Sequence, residues 1–342
     1  MSCFRLTSFL AGLGMAVLTL MPAVPATAAD SVKVTLDWKF EGNAAPFLLA
    51  QDKGYFAAEG LSVTIDSGNG SAGAVTRVAG GAYDIGVADL NSLVEFDAAN
   101  PDRALKAFFI VYDQPPFALF TFRKSGIEKP KDLEGRTIGA PVFDAPRKLF
   151  PAFARATGVA AGTVRWESMD PPLREPMLVR GQVDAISGFY FTSLLNLKAQ
   201  GVRPDDLVVF RYSDFGMAFY GNALIASPEM MAHNPDVLRR FARALVKGWR
   251  EAIRDPDGAI EAVRRRDPLI NPALERERLD MVLRDNVLTA DVKANGMGAI
   301  RRDRLAKSIE QLSDAFGLAK APTVEEVFTD AYLPTRAERS LP

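Results

Sequence analysis

Between residues 32 and 226 the chain alternates short β-rich runs with stretches of helical spacing. The run VKVTL at 32–36 predicts a strand, ended by Asp37-Trp38 and the Gly42-Asn43 loop. Residues 44–53 read as a helix, because Pro46 is tolerated in a first turn. Gly54-Tyr55-Phe56 and Glu59-Gly60 break that helix before a strand at 61–65. The run SGNGSAG places Ser71 as the N-cap of a helix reaching about residue 78. A strand at 84–87 and a helix from about Leu90 follow; Ser92 and Glu95 fit a capping box there, with Asp89 as a competing cap. AFFIV at 107–111 is a further strand.

The pattern then restarts. A polar turn at 131–135 leads to a strand at 136–140; Asp144-Ala145-Pro146 opens a helix, 164–169 is a strand, and Asp170-Pro171 opens another helix. The segment GGAYDIGVADLNSLVEF around Gly81 is echoed by RGQVDAISGFYFTSLLN around Gly181, with Gly81 and Asp84 matching Gly181 and Asp184. Each half therefore reads β-α-β-α-β, an α/β class with a mainly parallel sheet in each of two lobes, joined near 114–122 and 214–226. Helical spacing continues at 228–254, 258–266, 272–286 and 301–316, and Arg264-Arg265-Arg266 reads as a solvated helix end. Two such lobes close on something small.

Composition narrows the possibilities. Arg5, the uncharged apolar run 9–21 and Ala26-Thr27-Ala28 form a secretory signal, cut after about Ala28. Cutting there removes the only cysteine, Cys3. The formal charge of −1 leaves no basic excess for nucleic acid. With one histidine, His233, placed in an exposed helix-start segment, a transition-metal site and a Ser-His or Cys-His nucleophile are disfavoured.

Ligands of open parallel sheets bind beyond the carboxyl ends of the strands, near helix N-termini. That rule selects Trp38, Asn43, Gly70, Ser71, Asp89 and Asn91 in the first lobe. In the second it selects Phe143, Asp144, Arg147, Asp170, Phe189 and Tyr190, and in the returning connection Asp214, Met217, Tyr220 and Asn222. Asp144, Asp170 and Ser71 are equally explained as helix caps, and Phe189 as core. Trp38 has few apolar neighbours in sequence and suits stacking on a flat ligand. The mouth is rich in carboxylates (Asp37 and Glu41 among them) and aromatics, with Arg147 and Arg174 the only evident cations. Such a lining favours a neutral or cationic ring bearing N–H groups over a doubly charged anion.

The stretch VTLDWKFEGNAAPFLLAQDKGYFAAEGLSVTI, with GGAYDIGVADL, KPKDLEGRTIGAP and GQVDAISGFY, resembles periplasmic solute-binding proteins of the thiamine-pyrimidine and nitrate/sulfonate/taurine group. The resemblance implies a class II periplasmic-binding fold: lobe 1 from 29–117 and 222–342 with C-terminal helices, lobe 2 from 118–221, and two hinge strands between them. It implies a monomer in the periplasm that holds a small-molecule ligand, pyrimidine-like by preference, and hands it to an ABC permease in the inner membrane with its ATPase. No cofactor is implied. Trp38 matches a cleft-lining position of pyrimidine binders in the group. A sulfonate, nitrate or other small-anion binder in the same fold stays open, as do a receptor-linked sensor and an exported enzyme. Fungal relatives that make pyrimidines use a cysteine-rich motif and histidine, and the chain after Ala28 has no cysteine.

Overall fold

The computed structural model describes Met1, residues 29–217 and residues 219–342. Apart from Met1, the expected leader lies outside the described residues.

Ten strands form two five-stranded sheets. The first contains β1 (Asp30–Thr35), β2 (Leu61–Asp66), β3 (Ile85–Asp89), β4 (Lys106–Ile110) and the late strand β10 (Asn222–Ala226), in the order β2-β1-β3-β10-β4. The second contains β5 (Phe117–Phe122), β6 (Thr137–Ala140), β7 (Arg165–Ser168), β8 (Ala185–Phe189) and β9 (Leu207–Arg211), in the order β7-β6-β8-β5-β9. In each, the first three strands are parallel and the fourth runs antiparallel to both neighbours. The sheets are thus mixed: four of the five strands in each run one way, as expected, and one antiparallel strand is inserted among them.

The difference comes from strands where connections were expected. Phe117–Phe122 (FALFTF) is apolar on both faces, as a strand covered on both sides must be, and Pro115-Pro116 fixes its start. Asn222–Ala226 is buried throughout and inserts between β3 and β4. The true crossings are short, residues 111–116 and 212–221. They lie against each other, with Gly221 N donating to the Tyr112 carbonyl (2.9 Å) and Val111 N to that of Asn222 (2.7 Å). A β-carbon on Gly221 would stand 2.9 Å from Tyr112 Cβ, so only glycine allows this approach.

The internal repeat has a structural meaning. Gly81 (φ 73°) and Gly181 (φ 69°) end helices in the left-handed region. Asp84 Oδ2 then accepts from Lys33 N (2.7 Å), and Asp184 Oδ2 from Thr137 N (2.8 Å). Each aspartate ties the third strand of its sheet to the first.

The C-terminal helices complete lobe 1. The helix Pro235–Arg254 turns an apolar stripe from Val237 to Ala252 onto the helix Ala45–Asp52, buried from Ala45 to Ala50, with Gly248 tight against the Pro46 carbonyl. Arg265 and Arg266 are not a merely solvated end: both pair with Asp52, and Arg266 also reaches Gln51 at 2.7 Å. The buried Arg278 holds Glu275 (2.8 Å) and Glu41 (3.4 Å) and donates to the Phe191 carbonyl of lobe 2 (3.1 Å). Among the described residues no helix is long and apolar enough to cross a membrane.

Candidate functional site

The strand tips of the first sheet present a polar surface. Beyond β1, Asp37 Oδ2 accepts from Asn222 Nδ2 at 2.8 Å. Asn222 starts β10 directly opposite Asp89 at the end of β3. Asp89 caps the helix Leu90–Ala99 through Ser92 N (3.0 Å), so the competing cap prevails over the Ser92–Glu95 box. Asn91 Nδ2 bridges Asp89 (3.0 Å) and the Tyr220 carbonyl (2.8 Å). Burial raises both acids, Asp37 to about 6 and Asp89 to about 7, against the opposing pull of Asn222 on one and Ser92 on the other.

Gly70, at φ 144°, is the N-cap of the helix Ser71–Ala79. Ser71 is therefore the first helical residue rather than the cap. Its hydroxyl lies near enough to Asp37 to ease that acid's ionisation, yet Oγ is buried without a properly oriented hydrogen bond.

Lobe 2 answers with a pinned cation. Arg174, 1% exposed, donates from Nε to Glu175 Oε1 (2.8 Å) and from Nη1 to Asp144 Oδ1 (3.3 Å). Asp144 Oδ2 accepts from Ser187 Oγ at 2.9 Å; its carboxylate turns mainly to Arg174 and Ser187, and the Arg147 main-chain N–H of the helix it precedes is a lesser partner. Burial alone would lower Arg174, but Glu175 and Asp144 outweigh it and hold the guanidinium charged. Asp144 is raised by burial to about 6, with Arg174 the main opposing influence. Gly188 makes room for this pair, because a β-carbon there would stand 2.9 Å from Arg174 Cζ.

The lobes meet over a narrow cleft with about 10 Å³ of free space, room for roughly one water. It is lined by Asp37, Trp38, Gly70 and Ser71 from lobe 1 and by Asp144, Ala145, Arg174, Phe189 and Thr192 from lobe 2. Across it the Arg174 guanidinium lies 5.1 Å from the centre of the Trp38 ring, a cation–π distance. Beside it Gly70 packs on the Phe143 main chain, where any side chain would collide. Trp38 Nε1, Ser71 Oγ and Arg174 Nη2 are buried with no partner. Three unmet polar groups in one cleft are a costly arrangement unless something arrives to meet them.

Of the residues selected from sequence, Trp38, Gly70, Ser71, Asp144 and Phe189 line this cleft; Asn222 joins it through its bond to Asp37, and Asp89 and Asn91 stand behind Asn222. Asn43 is buried against the Tyr112 hydroxyl. The others lie elsewhere. Phe143, 42% exposed, lines an outer groove with Asp170. Arg147 donates to the Ala140 carbonyl (2.8 Å) and covers Trp166. Tyr190 stacks under Arg211, 3.5 Å from ring centre to Cζ. Tyr220 accepts from Arg301 N (2.7 Å), Asp214 is exposed in the turn Tyr212–Phe215, and Met217 faces a separate hollow with Phe219. Ala145 and Thr192 were not selected, and Arg174 was named only as a cation of the mouth. The signal for Arg174 was its place just after Pro171-Pro172-Leu173, where the chain leaves a strand tip. Among the described residues no group of three or more His, Cys, Asp or Glu is arranged to hold a metal ion.

Residues 41–259 match the family described as NMT1/THI5 like. The chain belongs to that family. The chain is 27% identical over 324 residues to the riboflavin-binding protein RibY of Chloroflexus aurantiacus, covering 91% of this chain and 90% of that one. It is 26% identical over 270 residues to the formylaminopyrimidine-binding protein of Halalkalibacterium halodurans, covering 77% and 79%. It is also 24% identical over 258 residues to 4-amino-5-hydroxymethyl-2-methylpyrimidine phosphate synthase of Aspergillus parasiticus, covering 72% and 74%. Among solved structures, the alkanesulfonate-binding protein SsuA from Xanthomonas axonopodis pv. citri superposes with a TM-score of 0.66 at 15% identity, covering 90% of this chain and 99% of that one. The NMT1/THI5-like chain thus has the periplasmic-binding-protein fold, with added C-terminal helices.

Proposed function

We propose that this chain is the solute-capturing component of an ABC-type importer and that it closes on a neutral or cationic heteroaromatic ring carrying a pyrimidine. The observation that carries this is the interlobe cleft, where the Trp38 indole N–H, the Ser71 hydroxyl and Arg174 Nη2 are buried unmet beside Asp37 and Asp144. We take the lobes as 29–117 with 222–342, and 118–221, and the location as the periplasm after removal of a leader ending near Ala28. A permease with its ATPase is the expected partner.

Charge supports a ring over an anion. Arg174 is the only cation among the described residues lining the cleft, and two carboxylates already neutralise it. A sulfonate or nitrate would enter next to Asp37 and Asp144 with no unpaired charge to receive it, so the small-anion alternative ranks second. Catalysis ranks below both. His233 is exposed on a distant helix, with its ring Nδ1 3.1 Å from the Glu229 carbonyl, and no cysteine lies between residues 29 and 342.

The mechanism is hinge closure. A ligand that converts a mostly open population to a mostly closed one must prefer the closed form by roughly 5 kcal/mol. One stacked indole and a few buried hydrogen bonds at about 1–3 kcal/mol each supply that. Calorimetry against pyrimidines, flavins, alkanesulfonates and nitrate tests the ligand class. Trp38→Ala is expected to weaken the bound ring tenfold or more while leaving the fold intact. Unchanged affinity in that variant would remove the cleft as the binding site.

A further inference from the structure

We propose that Trp38 and Arg174 select the ligand by its carbonyl oxygens, so that the cleft prefers a 2,4-dioxopyrimidine edge, as in uracils and flavins, to an aminopyrimidine. This rests on the heteroaromatic function proposed above. The groups left unmet in the cleft are chiefly donors. Trp38 Nε1 carries one N–H and Arg174 Nη2 two, none with a partner. Both groups are packed in place, Trp38 buried and Arg174 fully so. The guanidinium is held by Glu175 at 2.8 Å and Asp144 at 3.3 Å and is walled in by Gly188. The Trp38 main chain is fixed by Gly68 N on its carbonyl (2.9 Å), and that of Asp37 by Gly70 N (2.7 Å). Three fixed N–H groups need three lone pairs. Two carbonyl oxygens offer four, whereas the two ring nitrogens of an aminopyrimidine offer two. A ring N–H or amino N–H facing Asp37 is common to both classes, so the acid does not discriminate; the donors do. An orphaned buried donor costs about 1–3 kcal/mol, which sets a preference of tenfold to a hundredfold.

The test is calorimetric titration of the purified protein with thymine, riboflavin and 4-amino-5-hydroxymethyl-2-methylpyrimidine, repeated on Trp38→Phe and Arg174→Lys. Trp38→Phe keeps an aromatic ring but removes the N–H together with the five-membered ring that carries it. Arg174→Lys keeps a charge between the two acids but loses the fork. The expected result is that a dioxo ring binds at least tenfold tighter than the aminopyrimidine and that each variant erodes this preference. If Arg174→Lys does not fold, Trp38→Phe decides alone. An aminopyrimidine bound equally well, or variants that weaken both classes alike, would overturn the carbonyl selection and leave the heteroaromatic function standing. No ring bound, with or without uptake of an alkanesulfonate or nitrate, would overturn the heteroaromatic function itself.

Discussion

The two lobes share a strand order and an aspartate tie, yet their equivalent strand tips are chemical opposites. In lobe 1, β3 ends at Asp89 facing Asn222 of β10. In lobe 2, β8 ends at Phe189 facing Phe117 of β5, with ring centres 5.8 Å apart. Asp89 caps the helix that follows, whereas Phe189 cannot and the helix Tyr190–Ala199 begins without a side-chain cap. Duplicated topology therefore fixes where a side chain stands and leaves what it does to the individual residue. Lobe 1 supplies acids held by amides. Lobe 2 supplies an aromatic wall and, from the short helix Arg174–Val179, a cation held by acids.

The sharpest way to break that contrast is Arg174→Ala. The guanidinium is buried, and its removal leaves Asp144 and Glu175 buried without a counter-charge. The expected loss is about 3–5 kcal/mol of stability, the cost of stranding one side of a buried ion pair. A urea transition measures it. An unchanged midpoint would mean that the two acids shed their charge at no cost, and that the cation is not what organises lobe 2.

The amide-held acids of lobe 1 should respond to pH instead. Asp89 is raised to about 7 in the folded chain by burial, while an unfolded aspartate titrates near 3.9. Between those values the folded state holds the extra proton, so this residue's contribution to stability falls as pH rises from about 4 to 7. Asp52 and Glu59, whose carboxyls pair with Arg266 and Arg243 and are held below their usual values despite partial burial, push the other way. The difference between variant and parent isolates the effect. Asp89→Asn keeps a competent cap and removes the titration. Its melting temperature relative to the parent should rise from pH 4.5 to pH 8, by a few degrees. A difference that stays flat across that range would show that Asp89 titrates normally.

Much of this architecture was legible in the residues. The alternation of β-rich runs with helical spacing located β1 to β4 and β6 to β8, because each is bounded by a turn or cap. β5, β9 and β10 escaped: FALFTF and NALIA are apolar on both faces and lack the alternation that marks a strand, and the unbroken apolar run of LVVFR lacks it too. Being buried on both sides follows from insertion into the middle of a sheet, which local sequence does not announce. At the cleft, Trp38, Gly70, Ser71, Asp144 and Phe189 followed from the strand-tip rule. Arg147 was drawn by the same rule to a position whose guanidinium is consumed by the Ala140 carbonyl and Ser168. Arg174 was noticed only as a cation of the mouth and not as a site residue, because its role depends on Asp144, thirty residues earlier, and on Gly188, which leaves space for it.

The smallest expected effect is also the one that tests the duplication itself. Asp84→Asn and Asp184→Asn each replace a charge-assisted acceptor of a first-strand N–H by a neutral one, at 2.7 and 2.8 Å. Both sites are partly exposed, so each change should cost about 1 kcal/mol or less. The two costs should agree within a few tenths, with a slight excess at Asp184 from its 3.8 Å pair with Arg136. The double variant should be additive, since the two ties lie in different sheets. None of the three should alter ligand affinity, because neither aspartate lines the cleft. A binding defect in Asp184→Asn alone, at unchanged stability, would mean that the repeated aspartate carries chemistry in one lobe and only architecture in the other.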